Sequence, residues 1–494
     1  MKYTNPVIRG FYPDPSVCPA NGKYYLVSSS FQYFPGVPLF ESSDLVNWKQ
    51  IGHVLTRKNQ VMLDKIDSSG GVFAPTIRYH NGRFYMVTTN STTHENFYVY
   101  TDDIYGEWSD PVTVSQGGID PSLFFDDDGH VYFVSNGSDD NGESGITQCE
   151  INIKTGEKLS PGKCIWKGTG GRYLEGPHVY KINGWYYLVA AEGGTEYGHM
   201  VTCARSDSIW GPYENDPHNP VLTNRDKAPG IIQGIGHGDL IQDKNGAWHI
   251  LTLGFRQIHM WMAYHHLGRE IFLAPVEFGA DGWFTAGTDG TTDKGYEIAG
   301  DFEQTVKKRY TFENTDWNID WCYLRHPYPH NYELSGNKAV LHGTDVTICQ
   351  ADSPTFIGIR QRDFNMELSA DVSVDCGEGG ITVYMCENEH YDIAVRKGEN
   401  GYEAVLKLNI GNIRHEQNAV RLPRGKATLM IHSENQCYHF YVKTEAAKIH
   451  LGDGLSKYLS SEVSGGFTGV VLGLYAQGGN TAEFENFSAE YFDI

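Results

Sequence analysis

No apolar run in the 494 residues is long enough to cross a bilayer, which excludes a spanning helix. The opening stretch from Met1 to Pro15 has no apolar core behind Lys2 of the kind an export leader carries, so cytoplasmic residence is expected. Basic charge is scarce. Only 39 Lys and Arg stand against 61 Asp and Glu, and a formal net charge of -22 repels phosphate backbones and anionic lipid, so neither nucleic acid nor a membrane is the expected partner. Cysteine occurs nine times, from Cys18 to Cys437, without a C-x-x-C spacing. An odd, scattered set excludes a disulfide framework or zinc knuckle and agrees with a reducing compartment. Long amphipathic helical patterns are missing from the first three hundred residues.

What is present points to a large all-β protein. Apolar residues make up 40% and charged residues 20% of the chain, an ordinary globular balance, and the length exceeds what one core usually supports. Aromatics reach 13%, with 31 Tyr and 10 Trp. They pack well in strands, and they also serve as flat platforms for sugars; composition does not separate the two uses.

The first three hundred residues contain a fivefold repeat, each copy about fifty to sixty residues from the next. Each has a short polar motif, an apolar strand, a turn ending in Gly and a second strand rich in aromatics. The turns are Asn21-Gly22, Asn81-Gly82, Asp128-Gly129, Asn183-Gly184 and Asn245-Gly246, followed by Tyr24-Tyr25, Phe84-Tyr85, Val131-Tyr132, Trp185-Tyr186 and Trp248-His249. Such turns suit tight hairpins because Asn, Asp and Gly tolerate positive φ. Repeats of several short strands without long helices predict a five-bladed β-propeller over residues 1–303. Two stacked sandwiches are the alternative. Eight or nine positions before each turn Gly stand Asp14, Ala74, Asp120, Glu175 and His237, which in a propeller converge on the axis.

The repeat stops near residue 300. An irregular, aromatic-rich connection from Asp301 to Leu334 precedes renewed alternation in Met366 to Val374, Ile381 to Met385, Ala404 to Leu408, Ala427 to Ile431 and Val470 to Tyr475. This predicts a C-terminal β-sandwich, jelly-roll-like, over 304–494. Its expected role is to brace the first domain or to mediate self-association into a homo-oligomer.

Asp14-Pro15-Ser16 and Asp120-Pro121-Ser122 are matching tripeptides, and Glu175 opens Glu175-Gly176-Pro177-His178. Singly, an Asp before Pro is a turn residue that satisfies backbone donors. Three carboxylates at one axis would instead repel and raise at least one pKa, a costly arrangement that suits acid–base chemistry. Glycosidic cleavage needs this division: a protonated acid for the leaving oxygen and a carboxylate on the other face of the sugar.

Taken together, Asn5-Pro6-Val7 through Asp14-Pro15-Ser16, the Phe31 to Pro38 stretch, Asp120-Pro121-Ser122, Glu175-Gly176-Pro177 and Gly236-His237-Gly238 resemble family 43 glycoside hydrolases, and most closely their two-domain β-xylosidases, over essentially the whole chain. The resemblance implies Asp14 as general base, Glu175 as general acid and Asp120 as the carboxylate that orients Glu175 and holds its pKa up, with inversion at the anomeric carbon. It implies a sugar-binding Arg269, aromatic pocket walls at Phe31 and Phe73, and His237 at the axis as a substrate contact and as the one His ligand of a cation, frequently calcium, held otherwise mostly by water; the chemistry itself requires no cofactor. Many relatives carry Trp where this chain has Phe73. The bland readings are a rim ion pair for Arg269, packing inside the blades for the two Phe, and a structural hydrogen-bonding group for His237.

The expected reaction is release of terminal xylose from β-1,4-xylo-oligosaccharides or arabinoxylo-oligosaccharides. An α-L-arabinofuranosidase is the rival within the class, since the two sugars differ by a few contacts. A non-catalytic carbohydrate-binding propeller is the rival outside it.

Overall fold

The computed structural model describes residues 1–258, 261–479 and 481–492. Strands dominate, and the one α-helix among the described residues is the single turn Ser461–Ser464. The N-terminal part holds five four-stranded antiparallel sheets, each made of strands in chain order, with only Tyr33–Phe34 left out of the first. The first comprises Ser16–Ala20, Lys23–Val27, Gly36–Ser42 and Lys49–Leu55, and the second Thr76–His80, Arg83–Asn90, Glu95–Thr101 and Val112–Val114. The third comprises Ile119–Phe125, Val131–Ser138, Ser144–Glu150 and Lys163–Trp166. Glu175–Ile182, Trp185–Glu192, Met200–Ser206 and Glu214–Asn215 form the fourth, and Ile232–Gln242, Trp248–Arg256, Glu270–Phe278 and Phe284–Ala286 the fifth. The first strands of successive sheets touch in cyclic order, the fifth returning to the first.

The apolar doublets of the sequence explain the ring. Strand side chains alternate between faces, so two adjacent apolar residues make a strand sticky on both sides. Tyr25 and Val27 of the first sheet pack with Phe84 and Met86 of the second, whereas Tyr85 and Val87 turn the other way onto Leu123 and Phe133 of the third. Tyr132 and Val134 then meet Leu188 and Ala190, Tyr187 and Val189 meet Ile250 and Phe272, and Leu251 and Leu273 meet Tyr24 and Leu26. Five separate apolar layers thus join five sheets. The chain start closes the last gap: Lys2–Thr4 pairs antiparallel with Gly295–Glu297, and the Val7 amide donates to the Ile271 carbonyl at 2.8 Å.

The turns differ in one respect from expectation. Asn21-Gly22, Asn81-Gly82 and Asn183-Gly184 are two-residue turns with both residues at positive φ. The other two carry one more residue. Asp126 pairs with His130 while the Gly129 amide donates to the Asp126 carbonyl at 3.0 Å, and Asp243, Ala247 and Gly246 repeat the arrangement.

The C-terminal part is two facing antiparallel sheets. One runs in the order Tyr332–Ser335, Lys338–His342, Thr481–Tyr491, Met366–Val374, Lys426–Glu434, Cys437–Lys443 and Lys448–Leu455, with Arg309–Thr311 also on Thr481–Tyr491. The other runs Thr355–Arg360, Val471–Gln477, Glu378–Tyr384, Glu389–Gly398, Gly401–Ile410 and Ile413–Leu422. Inward alternation, as in Met366, Leu368, Ala370 and Val372, fills the core between them. The Asp301 to Leu334 connection is packed: Trp321 is fully buried beside Phe312, Trp317 and Phe487, and Tyr323–Leu324 pairs with Tyr33–Phe34.

The two parts share a core of Phe11, Phe31, Tyr33, Leu324, Phe356, Tyr384 and Tyr475. Charge reinforces it, because Asp363 takes Arg9 and Arg256 at 2.5 Å each while Arg256 also holds Glu270 at 2.8 Å.

Candidate active site

The first strands of the third, fourth and fifth sheets are irregular at their inner ends, next to the residues at the axis. Register shifts interrupt the pairing between Ile119 and Ser122, Glu175 and His178, and Gln233 and Gly236. Asp14, Asp120 and His237 have φ of 54°, 53° and 46°, a left-handed conformation that non-glycine residues seldom adopt outside constrained sites.

Glu175 departs from the expected equivalence. Gly176, with φ 58°, occupies the place of Asp14, Asp120 and His237, and Glu175 precedes it by one residue. The extra residue in the third and fifth turns accounts for the slip, because counting back from those glycines needs one more step. Steric space explains the glycine: a Cβ at 176 would come within 2.9 Å of the His237 ring. By the shared X-Pro step, Phe73-Ala74-Pro75 matches Glu175-Gly176-Pro177, so Phe73 stands on the second sheet where the acid stands on the fourth. Ala74 is buried and brings no polar group to the axis.

The three acids have different surroundings. Asp14 accepts from the Ser29 hydroxyl at 2.6 Å and from Arg269 Nη1 at 3.1 Å, with His237 Nδ1 3.8 Å away. Burial alone would raise its pKa, but Arg269, His237 and Ser29 outweigh burial and hold it below the usual carboxylate range. Asp120 accepts from the Gly176 amide at 3.1 Å, and burial with the charges of Glu175 and Asp14 pushes it well above that range. Glu175 keeps partial solvent access and is pushed up to about 7, by burial and by Asp14, with Arg269 opposing. The Glu175 charge also raises Asp120, so the two carboxyls titrate as a linked pair.

A cavity of about 410 Å³ leads to these groups, lined by Glu175, Arg269, Thr195, Tyr197 and Tyr173 and, from the C-terminal part, Glu462 and Phe467. Asp14, Asp120 and His237 lie deeper and are almost fully covered. Arg269 spans both parts: Nη1 also donates to the Thr195 hydroxyl at 2.8 Å and Nη2 to the Phe467 carbonyl at 3.1 Å. A purely bracing role for the sandwich is therefore corrected, since it supplies one wall. Phe31 and Phe73 do not line the cavity. They pack behind Phe467, at ring-centroid distances of 6.0 and 5.9 Å. Phe467 is 39% exposed, so Phe467→Ala is expected to leave the melting temperature nearly unchanged while raising KM about 10-fold, the scale of one lost aromatic contact, in steady-state kinetics.

Three supports were not visible in the sequence. Glu192, fully buried, accepts from the amides of Thr169 and Gly171 at 2.8 and 2.7 Å and from the Thr202 hydroxyl at 3.0 Å, which fixes the loop that delivers Glu175. Glu462 takes His265 Nδ1 at 2.8 Å and the Tyr197 hydroxyl at 2.9 Å, anchoring the wall segment. At the axis, Asp239 binds Arg78 and Ser16 at 2.8 and 2.7 Å and also Tyr180, tying four sheets together.

A calcium ion at His237 would be held through the imidazole and mostly by water, because the nearby protein oxygens are already engaged. Calcium takes six to eight oxygens. Both Asp14 oxygens are engaged by Ser29 and Arg269, Asp120 accepts from Gly176, and Asp239 is neutralised by Arg78. The remaining neighbours are nitrogen donors, His178 and His199, each with an unpartnered buried Nε2. His237 is kept neutral by burial, which lowers its pKa.

Residues 3–284 match the family described as glycosyl hydrolases family 43, and residues 309–490 match the beta xylosidase C-terminal Concanavalin A-like domain. The chain is 38% identical to a non-reducing end alpha-L-arabinofuranosidase of Bacteroides ovatus, covering 100% of this chain and 94% of that protein. It is 34% identical to a xylosidase/arabinosidase of Butyrivibrio fibrisolvens, over 99% of this chain and 98% of the other. The solved structure of a xylan beta-1,4-xylosidase from Bacillus halodurans superposes with a TM-score of 0.91 at 29% identity, covering 99% and 100% of the two chains.

Proposed function

The chain belongs to glycosyl hydrolases family 43, and from that premise we propose that it is an exo-acting, inverting enzyme that releases terminal xylose from short β-1,4-xylo-oligosaccharides. The observation that carries this reading is the split of the carboxylates, one held below and two raised above the usual range around one cavity. Asp14, ionised, draws a proton from the attacking water. Glu175, protonated, gives its proton to the leaving glycosidic oxygen. Asp120 accepts from the Gly176 amide and so orients Glu175, and Arg269 holds sugar hydroxyls while pairing with Asp14. After one turnover Asp14 carries the proton and Glu175 lacks one, and exchange with water resets both.

The five-sheet ring is read as a five-bladed propeller ending near residue 303, with the C-terminal sandwich completing the pocket wall. A bounded cavity of about 410 Å³ suits a chain end better than a polymer interior. The α-L-arabinofuranosidase reading is favoured by one specific observation, the name of the 38% identical Bacteroides ovatus relative. Comparing kcat/KM for xylobiose, 4-nitrophenyl β-D-xylopyranoside and 4-nitrophenyl α-L-arabinofuranoside decides between them. A dominant arabinoside rate would overturn the xylosidase reading. Proton NMR of the first-formed anomer tests inversion.

The pH dependence follows from the same groups. Glu175 acts as an acid, so its raised pKa keeps activity present below about 7 and removes it as pH rises through that value. Asp14 acts as a base, so its lowered pKa preserves activity below the usual carboxylate range and removes it as pH falls further. A kcat/KM profile with a basic limb near neutrality and no loss down to about pH 5 is expected.

A further inference from the structure

The C-terminal part carries a second set of reactive groups, remote from the carboxylates in sequence. Cys349 lies on the loop between Lys338–His342 and Thr355–Arg360, partly exposed, with Sγ 3.4 Å from Nε2 of His390. His390 is fully buried, and its Nδ1 is 2.8 Å from Asp392 Oδ1. Arg414 places Nη1 2.8 Å from the same sulfur and also donates to Asn409 at 3.0 Å.

Sheet register builds this group. His390 is paired directly with Tyr384 on one side and Asn409 on the other, and Asn409 with Arg414, so the four form one row across four strands. Asp392 follows His390 by two positions and shares its face. The Tyr384 ring stacks on the imidazole at 5.6 Å and 29°. Tyr475 completes the surroundings with its hydroxyl on Glu378, which also takes Lys407.

The charges are ordered to favour a thiolate. Burial alone would lower His390, yet Asp392 and the thiol push it up to about 9, so it is an imidazolium at neutral pH. Burial would raise Cys349, but His390 and Arg414 outweigh burial and the opposing Asp392, and its pKa falls below the ordinary thiol value. The other eight thiols, Cys18, Cys149, Cys164, Cys203, Cys322, Cys376, Cys386 and Cys437, are all pushed up.

We infer that Cys349 is a nucleophilic modification site, held by His390, Asp392 and Arg414 for reaction with hydrogen peroxide and other soft electrophiles. With peroxide the sulfur lone pair forms an S–O bond as the O–O bond breaks. Sulfur is oxidised by two electrons to a sulfenic acid and the peroxide is reduced. The departing hydroxide takes the Nε2 proton of His390 and leaves as water, which leaves a neutral imidazole. The adjacent Ile348 packs in the core shared with Phe31, so the site borders the junction of the two parts.

The test is limiting iodoacetamide on the full-length protein, with peptide mass mapping from pH 6.5 to 8.5. Cys349 is expected to alkylate at least about 10-fold faster than Cys376 at the lower pH, and nearly independently of pH, whereas Cys376 speeds up as pH rises. Arg414→Gln and His390→Gln should each slow Cys349 about fivefold or more and restore an ordinary rise with pH, with glycosidase activity unchanged. If His390→Gln fails to fold, Arg414→Gln decides alone, since it alters only the outer end of the row. Peroxide followed by dimedone should label Cys349. Alkylation of Cys349 no faster than of Cys376, or a rate that Arg414→Gln does not change, overturns the inference.

Discussion

Glu175→Gln is expected to lower kcat/KM for xylobiose by on the order of 10²-fold or more while 4-nitrophenyl β-D-xylopyranoside loses far less. The difference lies in the leaving group. A sugar alkoxide must be protonated as it departs, whereas 4-nitrophenolate is a stable anion and leaves without help. Glutamine keeps the shape of Glu175 at the cavity wall but has no acidic proton, and the basic limb near pH 7 should vanish with it. Equal losses on both substrates would remove Glu175 from the acid role and point to a binding defect instead.

Asp14→Asn should be the more severe change, with kcat falling on the order of 10²-fold or more on both substrates, because activating water is required whatever leaves. Single-turnover kinetics with KM close to the parent value would locate the loss in chemistry. A stability effect accompanies it. The folded-state pKa of Asp14 is lowered, so its ionisation stabilises the fold above the unfolded carboxylate value and that contribution is lost as pH falls through the folded one. The asparagine variant lacks this contribution and leaves the buried Arg269 charge without its anionic partner, its contacts at Thr195 and Phe467 being neutral. Denaturation at pH 7 and pH 3 should show a smaller difference between variant and parent at the lower pH. Near-parent turnover would sink the base assignment.

Local order was the legible part of this chain. Turn glycines and aromatic doublets mark the repeat because they are short-range necessities: a turn needs positive φ, and a strand sandwiched between sheets must be apolar on both faces. Asp14 and Asp120 were found by the same logic. Glu175 is legible only to within one position, because a count of eight or nine back from the turn Gly reaches it while Gly176 holds the equivalent backbone place. Phe467 and Glu462 were illegible, because a loop residue that meets Arg269 across the domain junction carries no periodic mark. Glu192 looked like any strand-end acid, and only its buried hydrogen bonds distinguish it.

The Arg269 guanidinium joins residues separated along the chain by 255 positions on one side and 198 on the other. Such a site has consequences for biogenesis. Contacts of this sequence separation form late, after the loops between them have closed. During synthesis Asp14 emerges early yet cannot meet Arg269 until the fifth sheet exists, nor can the cavity wall form until Phe467 has left the ribosome. A chain made only as far as the fifth sheet would therefore lack the Phe467 contact to Arg269, and full hydrolytic competence would wait for that residue.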